Sequence, residues 1–163
     1  MANRTAWVAG NGQGLTWGTL INSADMASMT NGQTVVSSVA DIANGTNLDL
    51  WMDISYKLVI SSNTIAAGAN FSFWIYALDQ DGSTYGDGQF TNGTAASLTP
   101  AFPPCAVAGI PAVASTTNMS GFCQQIIIPP GSFRVAIQNN SGFALTSGTQ
   151  TVKYRTYNLN LNN

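Results

Sequence analysis

Histidine and glutamate are absent from these 163 residues, and charge of either sign is scarce. Only 7% of the residues are charged, against about 25% in ordinary globular domains. All seven acidic residues are aspartate, and with five lysines and arginines they leave a net charge of −2. The lack of histidine excludes Ser/His and Cys/His nucleophile pairs and imidazole-ligated metals. Five scattered cations make no basic patch to neutralise phosphates, which argues against a nucleic-acid partner. No run reaches the ~18 apolar residues of a membrane helix, so no membrane partner is expected. The Met1–Trp7 terminus lacks the apolar stretch of about 7–15 residues that marks a secretory leader, and folding in a cytoplasm is expected. Cysteine is limited to Cys105 and Cys123. They read either as two reduced thiols or as a disulfide closing one small loop.

Apolar residues make up 45% of the chain, and its polarity comes from Asn, Thr, Ser, Gln and Gly. Aromatic and β-branched residues are too plentiful for disorder. One domain of this length buries roughly 70% of its chain surface and needs neither metal nor disulfide to fold.

Apolar residues alternate from Leu48 through Leu50, Met52, Ile54, Tyr56 and Leu58 to Ile60, with Asp49, Asp53, Ser55 and Lys57 between them. Period two sets one face on a core and the other in water, which is a long β-strand. Trp51 and Val59 break the polar face, so part of it is expected to meet another surface. Phe71–Leu78 is apolar on both faces, as in the middle of a sandwich. Gln124–Ile128 is a strand stopped by Pro129-Pro130-Gly131, and Phe133–Gln138 and Val152–Leu159 follow. Gln33–Ser38 is a shorter candidate. One short helix is predicted over Ser23–Met29, with Asn22 or Ser23 as cap and Asn31-Gly32 as the stop.

The fold class is therefore all-β, an antiparallel β-sandwich with one short helix. Its core is predicted to hold Leu50, Met52, Ile54, Phe73, Ile75, Val135 and Ile137. Jelly-roll and immunoglobulin-like windings both fit the strand count. Residues 1–16, with Gly10, Gly12 and Gly14, read as a flexible N-terminal arm, and 17–163 as a single sandwich domain.

No charged residue lies between Asp87 and Arg134, and all six prolines fall between Pro100 and Pro130. Residues 91–121 follow neither period and read as a long proline-containing loop. It is too apolar for a solvated tether. Such a loop suits a contact arm, with little charge to desolvate and little entropy to lose. The alternative is a loop folded over its own sandwich. The candidate partner-contact residues are Trp7, Val8 and Trp17 ahead of the strands, and Phe102, Val107 and Ile110 in the loop. That apolar surplus predicts self-association, since monomers rarely expose apolar patches above a few hundred Å².

Asp79, Asp81 and Asp87 form the one acidic cluster. Its D-x-D-G start resembles part of a calcium loop, but the full twelve-residue pattern, the terminal Glu and the flanking helices are missing, and Asp-Gly is a common hairpin turn. With no second element facing that turn, a glycosidase pair is not predicted either. Gly10-Asn11-Gly12-Gln13-Gly14 precedes no helix and has no P-loop lysine. Trp7, Trp17, Trp51 and Trp74 are either packing residues or a sugar-stacking platform. No catalytic, metal or cofactor site is predicted, and the chain reads as a binding or structural module rather than an enzyme.

Several stretches resemble, in this order, the small capsid decoration (cement) proteins of tailed bacteriophages. They are Trp17-Gly-Thr-Leu-Ile-Asn-Ser-Ala-Asp25, Asn44-Gly-Thr-Asn-Leu-Asp-Leu50, Asp81-Gly-Ser-Thr-Tyr-Gly-Asp-Gly88, Ile128-Pro-Pro-Gly-Ser-Phe-Arg-Val135, Asn139-Asn-Ser-Gly142 and Thr151-Val-Lys-Tyr-Arg-Thr-Tyr-Asn158. The resemblance implies a jelly-roll subunit, commonly a homotrimer, on the outer surface of the virion head. Its partner would be the major capsid protein, and its task to clamp neighbouring capsomers. The rival expectation is a carbohydrate- or receptor-binding sandwich of a phage tail.

Overall fold

The computed structural model describes residues 4–9, 16–62, 64–79, 82, 85–86, 92–111, 117–146 and 148–162, with the backbone alone at 4–9 and 159–162. The strands are β1 (Arg4–Ala9), β2 (Gly18–Ile21), β3 (Thr34–Val36), β4 (Ile42–Asn44), β5 (Trp51–Val59), β6 (Asn70–Ala77), β7 (Ala106–Gly109), β8 (Asn118–Ile127), β9 (Gly131–Asn140) and β10 (Thr151–Asn162). They form two five-stranded sheets. The first runs β1-β10-β5-β8, with β2 also paired to β10. The second runs β3-β9-β6-β7, with β4 also paired to β9. Every pairing is antiparallel. The chain is an antiparallel β-sandwich.

Period-two patterning accounts for the long strands. Met52, Ile54, Tyr56 and Leu58 of β5 are buried between the sheets, against Phe71 and Phe73 of β6. Phe133, Val135 and Ile137 of β9 fill the same core. Five of the seven expected core residues are fully buried, and Ile75 packs against them half-buried. Leu50 does not join them, being 49% exposed. The alternation overshoots the strand there, because Leu48 has φ 49° and turns the chain before Trp51 begins the ladder. A non-glycine residue in that left-handed region ends an extended run.

No helix forms among the described residues. Ser23–Met29 makes successive tight turns instead, with Met26 N–H bonded to Ser23 O, Ala27 N–H to Ala24 O and Met29 N–H to Met26 O. Ser28, at φ 60°, then breaks the right-handed path. Asp25 is not spent on a helix start: its carboxylate accepts from Ser38 N–H at 2.7 Å and Ser38 Oγ at 2.9 Å.

Residues expected to form one structureless loop over 91–121 contain β7 and the start of β8. The part ahead of β7 lies over the outer face of the second sheet. Gly93 N–H donates to Val36 O, and Thr34 and Ala96 exchange backbone bonds of 2.8 and 2.9 Å. Thr34 Oγ1 donates to Leu98 O at 2.6 Å, and Trp74 Nε1 to Phe102 O at 2.9 Å. The Phe102 and Tyr76 rings meet edge-to-face with centroids 5.2 Å apart. Val36, Trp74, Tyr76 and Ala136 form a second apolar cluster beneath this cover. β6 is apolar on both faces for that reason. Of the two readings of the loop, residues 92–104 follow the one folded over its own sandwich.

Candidate interaction surface

The two sheets end on the same flank. Among the described residues β8 pairs only with β5, and β7 only with β6. Both edge strands and the cover of the second sheet come from the uncharged stretch between Asp87 and Arg134. Edge strands are commonly protected by charge or proline, and the span of β8 carries neither. Val107 on β7 is 56% exposed and Ile127 on β8 66% exposed, with Phe122 also open. Between the edges lies a groove of about 390 Å³, lined by Cys105, Ala106, Gln124, Gln125, Ile126 and Ile127. Apolar side chains, amides and strand edges without a partner among the described residues line this flank.

A bulge interrupts β8. Ile54 faces Cys123 and Met52 faces Ile126, so β8 carries one residue more than β5 over this interval. Gln125 takes φ 55°, and its N–H donates to Asp53 Oδ1 at 3.0 Å. Asp53 Oδ1 also accepts from Tyr157 Oη at 2.8 Å, and Oδ2 from Arg155 at 2.9 Å. Burial, then the Asp53 hydrogen bond and charge, push the Tyr157 phenol up to about 12. Arg155 lies over the Trp17 ring at 4.8 Å and the Phe122 ring at 5.7 Å, and those rings meet edge-to-face. One carboxylate on the outer face thus joins β5, β8 and β10, and bulges of this kind re-aim an edge.

The expected contact residues divide accordingly. Val107 is on the flank, while Phe102 belongs to the cover and keeps one side open. Ile110 does not present itself for contact, because it is 7% exposed and part of the main core. Trp17 is half-buried in the Arg155 stack. Residues 4–9, expected within a flexible arm, form β1 against β10. The side chains of Trp7 and Val8 lie outside the described residues. So do Asp81 and Asp87 of the acidic turn.

No disulfide joins the cysteines, and both thiols are free. Cys105 Sγ–H is turned onto Phe73 O at 3.2 Å, next to the backbone bond from Cys105 N–H to the same oxygen. Cys105 is exposed at the groove, yet desolvation of its sulfur pushes the thiol up to about 12, and burial also raises that of Cys123.

Leu48, Leu50 and Ile127 were not singled out as contact residues, since alternation and strand propensity assign such side chains to a core. The same alternation assigns Asp53 to the solvated face. The break in its polar face at Trp51 was the signal that this side is covered. No protein-family model matches the chain, and neither curated proteins nor solved structures return a match.

Proposed function

We propose that the chain is a structural virion protein that binds the outside of a tailed-phage head and clamps neighbouring capsomers. Its partners in this reading are the major capsid protein and further copies of itself. The observation that carries it is the flank where two edge strands drawn from an uncharged stretch of chain present exposed apolar side chains, while the neighbouring Asp53 and Arg155 are paired with each other. Binding through such a surface is insensitive to ionic strength, as suits a particle released into water of any salinity.

The winding we infer is the jelly roll. Counting β1 with β2 and β3 with β4 as broken strands gives eight lanes. One sheet then holds the first, eighth, third and sixth, and the other the second, seventh, fourth and fifth. That order is what two interlocked Greek keys produce, an architecture used in viral capsid proteins and also in lectins. The lectin-like alternative finds less support. Trp74 is buried and Trp17 and Trp51 are half-buried, so no described tryptophan presents an open ring to a sugar.

Purified heads lacking the protein provide the test. Saturable binding, with affinity unchanged between low and high salt, is the expected result. Failure to bind such heads, together with retention on an immobilised glycan, would move the chain to the tail-module reading.

A further inference from the structure

Among the described residues, one length of strand beyond the sandwich has a partner on one side only. Ala9, Tyr157, Trp51 and Ile127 stand in a single row across β1, β10, β5 and β8. Past that row β5 and β8 are finished, while β10 runs on to Asn162 with β1 alone beside it. Among the described residues no strand pairs with this overhang on the side of β5. A two-stranded ribbon is marginal in water, and a further strand stabilises it.

The overhang reads Asn158-Leu159-Asn160-Leu161-Asn162, without charge or proline to discourage pairing. It also reads the same in both directions. Two antiparallel copies related by a two-fold axis through Asn160 would set Asn158 opposite Asn162, Leu159 opposite Leu161 and Asn160 opposite itself. A slip of one residue would instead oppose leucine to asparagine throughout. In the symmetric register Asn158 is the last residue of each copy to pair, since Tyr157 already has Trp51 on that side. The pairing therefore stops where each sandwich begins.

We propose that β10 is a self-association edge, and that its occupant is the β10 of a second copy. The result is a four-stranded ribbon, β1-β10-β10-β1, between two sandwiches. The surface at the foot of the overhang fits this occupant. The Asn158 amide accepts from Leu50 N–H at 2.8 Å and donates to Asp49 Oδ1 at 3.1 Å, and Ile128 N–H donates to Leu50 O at 3.2 Å. These bonds hold the exposed Leu48, Leu50 and Ile127 at the end of the sheet from which the ribbon departs. None of the three bears a charge that a second copy would have to meet with its own like charge.

The test is sedimentation velocity of the full chain over micromolar to millimolar concentrations. The expected result is a concentration-dependent doubling of mass. Asn160→Asp and Asn160→Lys each place a charge opposite itself and should weaken the doubling about fivefold. An equimolar mixture of the two should restore it, and Asn160→Ser should leave it intact. Matching thermal melts would establish that all variants fold, as expected for a position outside the sandwich. The proposal is overturned by a wild-type chain that never doubles, by charged variants that associate as tightly as wild type, or by a mixture that shows no rescue. Binding to heads is not part of this readout, so its outcome is independent of the proposed function.

Discussion

Asp53 points away from the core and is nevertheless only 3% exposed. Tyr157, Arg155 and the bulged Gln125 backbone all depend on its two oxygens. Removing one partner of a buried ion pair costs more than the pair contributes, because the remaining polar groups stay desolvated. Asp53→Ala is expected to lower the unfolding free energy by about 3 kcal/mol in a urea titration. The Tyr157 phenol adds a pH signature. Its folded pKa lies above the unfolded value, at about 12 against 10.0. Its contribution is thus complete below the unfolded value and lost as pH rises through the folded one. Tyr157→Phe should flatten that part of the alkaline stability curve. Cys105 follows the same logic as a reactivity: with its thiol at about 12, alkylation near neutral pH should be slow until the protein unfolds.

The cover over the second sheet is the element whose behaviour is least like that of a loop. Trp74 Nε1 anchors it at Phe102 O, and the Gly93 and Ala96 amides anchor it at Val36 and Thr34. Gly93 itself has φ 72°, and a Cβ there would come within 3.0 Å of Asp25 Oδ1 and Ser38 Cβ. Trp74→Phe removes one hydrogen bond and should cost about 1 kcal/mol. Hydrogen exchange should then quicken at Gly93 and Ala96 while the β5 amides stay protected. β5, β9 and β10, with sustained alternation, and β6, apolar on both faces, were legible in the sequence to within a few residues. β1, β2, β4 and β7 were not, because three to six residues are too few for a period to stand out. The helix over Ser23–Met29 failed because capping and stop residues serve tight turns equally well. For the candidate surface, the absence of charge over 88–133 marks the stretch that supplies both edge strands and the cover. Which of its residues turn outward depended on pairing between distant strands, which composition does not encode.

At the scale of the whole molecule, two sheets share one main core, and a charge placed there has no partner. Ile54 is fully buried between them, and Ile54→Asp should abolish soluble folding, at a cost of several kcal/mol. Expression with recovery of a cooperative melt would contradict the placement of that strand. The uncharged flank also has a consequence for digestion. Proteases of the trypsin type cut after lysine or arginine, and none occurs from residue 58 to residue 133. Arg134, which closes that interval, is ion-paired with Asp41 and stacked on Tyr85. The cover, both edge strands and the groove between them are therefore invisible to such enzymes, and would survive digestion as a single piece even after every other site had been cleaved.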